Sequence, residues 1–173
     1  MLRKVAVLGA MALVAIVLAQ GLALIGAYGQ GAAVSEDQRV AGFRFNVSKL
    51  TSEPPQLNGD FAVQIGGHNH RSVNIVLRNL RNVAIGGEHR NVCEFGGPAV
   101  MRVRTPRGIE TVEGALAVRV VDSRQPQGDA DGGEDLVHPD HIQLTFHNPT
   151  HHVRYTFAGR VRHGDIVVFV RPH

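Results

Sequence analysis

Two histidines in the first half of the chain have the spacing of a chelating pair. His68 and His70 stand at positions i and i+2, so in an extended strand both imidazoles project from the same face. Neutral imidazole is a common ligand for zinc and copper. With a third ligand from the second half of the chain, the sequence predicts a zinc or copper site on His68, His70 and His141. The residues leave open the alternative that these histidines, among 10 in the chain, lie singly in solvent-exposed turns.

An acidic, glycine-rich segment in the second half has the composition of a calcium-binding loop. Residues 129–135 read DADGGED, with carboxylates at Asp129, Asp131 and Asp135. Calcium takes oxygen ligands, and glycine allows the chain to fold round the ion. The segment therefore predicts a calcium site on these three aspartates. The alternative is a solvated acidic loop that binds no ion.

The residue patterns of common catalytic sites are missing from the sequence. No Gly-x-Ser-x-Gly motif is present, and no glycine-rich phosphate loop precedes a helical segment. The serines stand in predicted turns or strand edges, without the spacing to a histidine and an aspartate that marks a hydrolase. We therefore predict that the protein is not an enzyme.

The elements that must position these residues are strands. Apolar and polar residues alternate in five segments, which places one set of side chains on a core and the other in water. These segments are 43–47, 61–65, 116–120, 142–146 and 153–157. Glycine, proline and asparagine separate them, which predicts an all-β fold, a β-sandwich or jelly roll of about 8–10 short antiparallel strands. The apolar run at 166–170 is expected to form a strand buried on both faces.

The first residues of the chain are typical of an export signal. Arg3 and Lys4 precede an apolar run at 5–19, and a second apolar stretch follows at 21–28. We predict a hydrophobic helix over residues 1–29, either a signal peptide or a membrane anchor with residues 5–28 in the bilayer. Small residues suited to cleavage follow the run, namely Ala27, Gly29, Gly31 and Ala33.

This leader sets the expected domain organisation and location. Residues 30–40 are predicted to be a flexible lead-in, and residues 41–173 to be a single β domain. The mature protein is expected to be secreted or held in the cell envelope. Its lone cysteine, Cys93, is expected to be a buried core residue, since it has no partner for an internal disulfide.

The charge balance indicates the class of partner. The chain has 18 Lys and Arg against 15 Asp and Glu, a formal net charge of +3. This favours anionic partners such as wall polymers or acidic sugars. The arginines fall singly on the predicted strands and do not cluster with aromatic residues, so we predict no nucleic-acid binding.

The second half of the chain resembles the post-COAP family of bacterial extracellular β domains. The segments that carry this likeness are GIETVEG at 108–114, LAVRVVD at 116–122, DHIQL at 140–144, VRY at 153–155 and GDIVVFV at 164–170. The resemblance implies a non-catalytic module of an exported or surface protein, and it supplies no active-site residue.

Together these features predict an exported β domain with a non-catalytic interaction or structural role. Its expected partners are wall or extracellular polymers, or other envelope proteins. Two alternatives stay open. One is a small β-barrel metalloprotein that uses the histidine cluster, and the other is a surface filament subunit that donates residues 41–49 to a neighbour's sheet.

Overall fold

The protein is built from nine strands that follow the alternating pattern of the sequence. The computed structural model describes residues 22–66, 71–123 and 139–172. The strands are β1 (Ala23–Ser35), β2 (Val40–Leu50), β3 (Gln56–Gly66), β4 (Ser72–Leu77), β5 (Asn82–Gly86), β6 (Val92–Thr105), β7 (Gly108–Val121), β8 (His141–Asn148) and β9 (Val153–Pro172). All five alternating segments lie inside strands, and the described ranges contain no helix, so the all-β prediction is confirmed.

The strands close into an eight-stranded antiparallel barrel. Each strand pairs with the next one along the chain, except that β4 does not pair with β5, and the last strand, β9, pairs with the first, β1. On the other side of the barrel, β4 pairs with the second half of β6, and this pairing completes the wall. The short strand β5 pairs with the first half of β6, so β4 and β5 share one edge of that strand.

Because the sheet closes into a barrel, the prediction of a sandwich or jelly roll is wrong. A sandwich needs two sheets with separate edges, whereas here one sheet meets itself and its terminal strands pair. The strands are also longer than expected, with 20 residues in β9 and 14 in each of β6 and β7. The alternation identifies which face of each strand is inside, but it contains no information on which strands are partners.

The inward faces fill the barrel with apolar side chains. Phenylalanines dominate the centre, where Phe45 and Phe61 both pack against Phe95 with ring centroids 5.5 Å and 5.7 Å apart. Cys93 is fully buried among them, as predicted, and burial raises the pKa of its thiol to about 12. Among the described residues only Ser35 and Asn148 are buried polar side chains. Among the described residues, the polar side chains that could contact a ligand therefore lie mostly on the outside of the wall.

The start of the barrel lies inside the segment predicted as leader and lead-in. Residues 30–40 are not a flexible lead-in, because they form the end of β1, a tight turn and the first residue of β2. Ala27 and Ala33 have no exposed surface and belong to the core. Cleavage at the predicted positions would remove between 5 and 11 of the 13 residues of β1, a strand that pairs on both sides. Any cut compatible with the barrel falls before Ala23.

The apolar run that begins the predicted leader, 5–19, lies outside the described residues. Within the ranges that are described, no helix has the length and apolar character needed to cross a membrane.

The second half of β9 is held by side chains as well as by its neighbouring strand. Ile166 is fully buried but Val167 to Phe169 are only half-buried and Val170 is exposed, so the strand is not buried on both faces. The Asp140 carboxylate accepts hydrogen bonds from the backbone N–H of Ser123 at 2.8 Å and of Ile166 at 2.9 Å. Burial, together with the charges of Asp122 and Asp165, raises the pKa of Asp140 despite these bonds.

Replacing Asp140 with alanine is expected to lower the free energy of unfolding by about 1–3 kcal/mol. Two backbone N–H groups, on Ser123 and Ile166, would lose their acceptor at a half-buried position. Urea denaturation measures this change. Glu110→Ala on β7, where the side chain is exposed, is the control and should change stability by less than about 0.5 kcal/mol. Equal effects of the two substitutions would show that Asp140 does not anchor β9.

Candidate binding surface

The structure places only one residue of the predicted transition-metal site. His68 and His70 lie outside the described residues, whereas His141 is the first residue of β8 and is exposed on the outer face. Gly66 and Ser72, which flank the histidine pair, belong to β3 and β4. Because β3 is four strands away from β8 in either direction round the eight-stranded wall, these strands lie on opposite sides of the barrel.

The predicted calcium ligands Asp129, Asp131 and Asp135 also lie outside the described residues. In the part of the chain that is described, no three His, Cys, Asp or Glu side chains are grouped as a metal site requires. Both metal sites therefore stay predictions of the sequence.

A large polar depression runs along the outside of β8 and β9. We call it the arginine groove, and its volume is about 1080 Å³. Its lining includes Arg39, Arg154, Arg160, Arg162 and His141, with Asp37 and Glu36 as its acids. This volume lies just above the range typical of small-molecule pockets, so the groove has room for a segment of a polymer.

Cross-strand pairing sets the positions of the cations in the groove. His141 lies opposite Arg160, and His147 lies opposite Arg154 near the other end of β8. Between these pairs stand small or neutral side chains, Gln143, Thr145, Thr156 and Ala158. Arg154 and Arg160 are six residues apart on one strand, so their backbones are separated by about 20 Å. One extended ligand can contact both, whereas one small anion cannot.

Arg39 is fixed at the edge of the groove by the turn between β1 and β2. Its guanidinium donates hydrogen bonds to the Asp37 carboxylate at 2.7 Å, the Tyr155 hydroxyl at 3.2 Å and the Thr156 carbonyl at 3.1 Å. The ring of Phe157 lies 5.6 Å from the guanidinium carbon. Burial opposes the charge of Arg39, but the contacts with Tyr155 and Asp37 outweigh it and raise the pKa of Arg39.

The turn that carries Arg39 is itself tied together by Ser35. The Ser35 hydroxyl donates to the Asp37 carboxylate and accepts a hydrogen bond from the Arg39 backbone N–H at 3.0 Å. The bond from Ser35, followed by the contacts with Arg39, lowers the pKa of Asp37 although burial opposes this. Asp37 is therefore ionised at neutral pH and pairs with Arg39. The arginines on β9 are the cations of the groove that face solvent.

His141 adds little positive charge at neutral pH. Burial first, and then the positive charge of Arg160, lowers the pKa of His141, while Asp140 acts in the opposite direction. A neutral imidazole beside Arg160 avoids the repulsion of two cations directly opposite each other on neighbouring strands. In this state His141 offers one hydrogen-bond donor and one acceptor to a ligand, and Arg160 supplies the charge.

Sequence reasoning recognised Arg154 only as a single arginine on a strand and missed the groove. The positions of Arg154, Arg160 and Arg162 are all even, which puts them on one face of an uninterrupted strand, and this signal was present. The contribution of Arg39 had no sequence signal, because 116 residues separate it from Tyr155. Pairing of β1 with β9 brings the turn and the groove together.

Comparison of the chain with family models, with curated proteins and with solved structures found no match. The resemblance to the post-COAP family therefore stays a prediction from the sequence.

The described side chains of the groove set the kind of contact that it offers. Its arginines are spaced along an exposed surface, and the Asp37 carboxylate is hydrogen-bonded to Ser35 and Arg39. Guanidinium groups are suited to carboxylates and sulfates because they present paired N–H donors.

Proposed function

We propose that the protein is an extracytoplasmic, non-catalytic binding module that holds an acidic polysaccharide in the arginine groove. The observation that carries this proposal is the row of outward arginines on β9, with Arg154 and Arg160 about 20 Å apart and neutral side chains between them. A polymer with spaced carboxylates matches this pattern in length and in charge.

The groove favours an acidic sugar chain over a single-stranded nucleic acid. Nucleic-acid grooves combine cations with exposed aromatic rings on which the bases stack. The aromatic side chain among the groove's lining residues is Phe157, which is 1% exposed. Threonine, glutamine and alanine side chains between Arg154 and Arg160 offer hydrogen bonds and small contacts that suit sugar hydroxyls and ring edges.

The proposed location rests on the sequence. A cationic start followed by an apolar run is the pattern of an export leader, and the resemblance of residues 108–170 to extracellular β domains agrees with it. Acidic polysaccharides are abundant outside cells, so location and proposed ligand are consistent with each other.

The filament alternative requires residues 41–49 to be available for pairing with a neighbouring protein. Residues 41–49 lie within β2, which pairs with β1 along one edge and with β3 along the other. To donate this segment, the protein would have to open its barrel and expose Phe43 and Phe45. No other described observation favours a filament.

Binding of polygalacturonate and hyaluronate to the full chain tests the proposal, with neutral dextran and single-stranded oligothymidylate as comparisons. The double variant Arg154→Ser/Arg160→Ser is expected to weaken binding of the acidic polysaccharide roughly 10- to 30-fold, from about 1 kcal/mol for each arginine. Isothermal titration calorimetry at low salt measures the dissociation constant.

The matched control removes the same charge elsewhere on the barrel. Arg102→Ser/Arg104→Ser replaces two exposed arginines on β6, three strands away from β9. This variant should bind within about threefold of the unaltered protein, since the two arginines are remote from the groove. Equal losses in both double variants, no binding of either acidic polysaccharide, or tighter binding of oligothymidylate would overturn the proposal.

A further inference from the structure

A second depression lies on the outer face of β1, β2 and β3 and extends to Asp165 on β9. Its volume is about 580 Å³. Its polar lining side chains are Gln30, Arg44, Asn46, Asp60 and Asp165, and its aromatic lining residues are the exposed Tyr28 and the buried Phe45. We call this surface the Tyr28 platform. It shares no lining residue with the arginine groove.

Tyr28 is an aromatic side chain left exposed in the middle of a strand. Its exposed fraction is 44%, and it is the sole aromatic among the large apolar side chains that are exposed in the described ranges. One side of its ring is supported by Phe169, whose centroid lies 6.2 Å away. The Arg171 guanidinium in turn lies 5.0 Å from the Phe169 ring centroid. The platform therefore presents a ring that contacts Phe169 and keeps 44% of its surface exposed.

The strand register surrounds this ring with hydrogen-bonding groups of both kinds. Asn46 lies directly opposite Tyr28, and Asp60 lies opposite Asn46 on the next strand. Gln30 lies between Arg44 on β2 and Asp165 on β9. Amides both donate and accept, carboxylates accept, and the guanidinium donates. This mixture matches hydroxyl groups, each of which donates one hydrogen bond and accepts others.

The charges at the platform differ from those in the arginine groove. One cation, Arg44, stands with two acids, Asp60 and Asp165. Carboxylates beside the ring repel phosphates and acidic sugars, so the platform does not favour a nucleic acid or a polyanion. An added peptide strand is also excluded at this point, because β1 is paired along both edges.

We propose that the Tyr28 platform is a second binding site, which takes a neutral sugar ring of a polysaccharide. The apolar C–H face of the sugar stacks on the exposed part of the Tyr28 ring, whose electron-rich face attracts C–H groups. The hydroxyl groups at the rim of the sugar reach Asn46, Asp60 and Gln30. This site is independent of the acidic ligand assigned to the groove.

Titration of the full chain with cellohexaose, xylohexaose and chitohexaose tests this site. At least one of these neutral hexasaccharides is expected to bind with a dissociation constant of about 1 mM or tighter. Tyr28→Ala should weaken that binding about tenfold or more, whereas Tyr28→Phe, which keeps the ring, should stay within about threefold. Ile109→Ala, which removes an exposed apolar side chain on β7, should leave the affinity unchanged.

The outcome separates this site from the arginine groove. Arg154→Ser/Arg160→Ser should bind the neutral hexasaccharide as tightly as the unaltered protein, even if acidic polysaccharides do not bind at all. Circular dichroism and thermal unfolding establish that Tyr28→Ala is folded. The proposal is overturned if none of the three hexasaccharides binds the unaltered protein at millimolar concentration. It is also overturned if folded Tyr28→Ala binds the hexasaccharide as tightly as Tyr28→Phe.

Discussion

Phe61→Ala is expected to lower the free energy of unfolding by about 3–5 kcal/mol, the range observed for the loss of a large buried aromatic side chain. Phe61 has no exposed surface and lies on the inward face of β3. Its ring centroid is 5.7 Å from that of Phe95 and 6.3 Å from that of Phe45. Truncation leaves a cavity among rings that come from three separate strands.

The barrel has few ways to close such a cavity. The wall is a hydrogen-bonded sheet that meets itself, so β3 cannot move inward without straining its pairing with β2 and β4. Urea denaturation followed by circular dichroism measures the effect. Ile109→Ala, at a side chain that is 61% exposed, is the control and should cost less than about 0.5 kcal/mol. A loss below about 1 kcal/mol for Phe61→Ala would show that the interior is not packed as described.

Gly164→Ala is expected to cost about 3 kcal/mol or more, since it combines backbone strain with a collision between strands. Gly164 has a φ of 94°, in the region that side chains other than glycine rarely adopt. A Cβ atom at this position would stand 2.0 Å from the Gln30 carbonyl oxygen and 2.5 Å from the Gly31 Cα atom. Both are backbone atoms of β1, so relief requires that β1 and β9 separate.

The position of this glycine makes the effect large. Gly164 pairs with Gly31 in the contact between β1 and β9, which joins the first strand to the last, and it follows the bulge at Arg162. Gly42→Ala is the matched control on β2. Nothing lies within 4 Å of its Cβ position, and it should be neutral or stabilising by up to about 1 kcal/mol. Similar unfolding midpoints for the two variants would contradict the close approach of β1 and β9.

Much of the local structure could be predicted because period-two alternation has a direct physical cause. In segments such as 43–47 and 142–146, each apolar residue points inward and each polar residue outward, as the burial of these side chains confirms. Pro106 and Arg107, which form the turn between β6 and β7, likewise suit a tight turn by their residue type. In both cases neighbouring residues decide the outcome.

The first strand shows where this reasoning failed. Residues 23–35 are rich in glycine and small apolar residues, so they resemble the end of a leader more than a strand. They form β1 because two partners, β2 and β9, supply hydrogen bonds along both edges. Small residues suit this position, since Gly29 and Gly31 let the backbone of β9 approach closely. A partner strand more than 100 residues away in sequence, β9, therefore helps to override the local appearance.

The binding surfaces depend on the same long-range pairing. From the sequence alone, the charge balance indicated an anionic partner, but Arg154 was recognised only as a single arginine on a predicted strand. Only the tertiary structure joined Arg39 to that face through Tyr155 and Thr156. It also placed Asn46 and Asp60 beside Tyr28 by aligning three strands.

The sequence by itself determined the all-β class, the inward and outward face of most strands, and the burial of Cys93. These properties follow from the local alternation of apolar and polar residues and from side-chain hydrophobicity. The tertiary structure decided that the sheet closes into a barrel, that β1 belongs to it, and which side chains share an outer surface. Hydrogen bonding between strands decides these features, and every strand offers the same backbone groups, so partner choice depends on the packing of the whole chain.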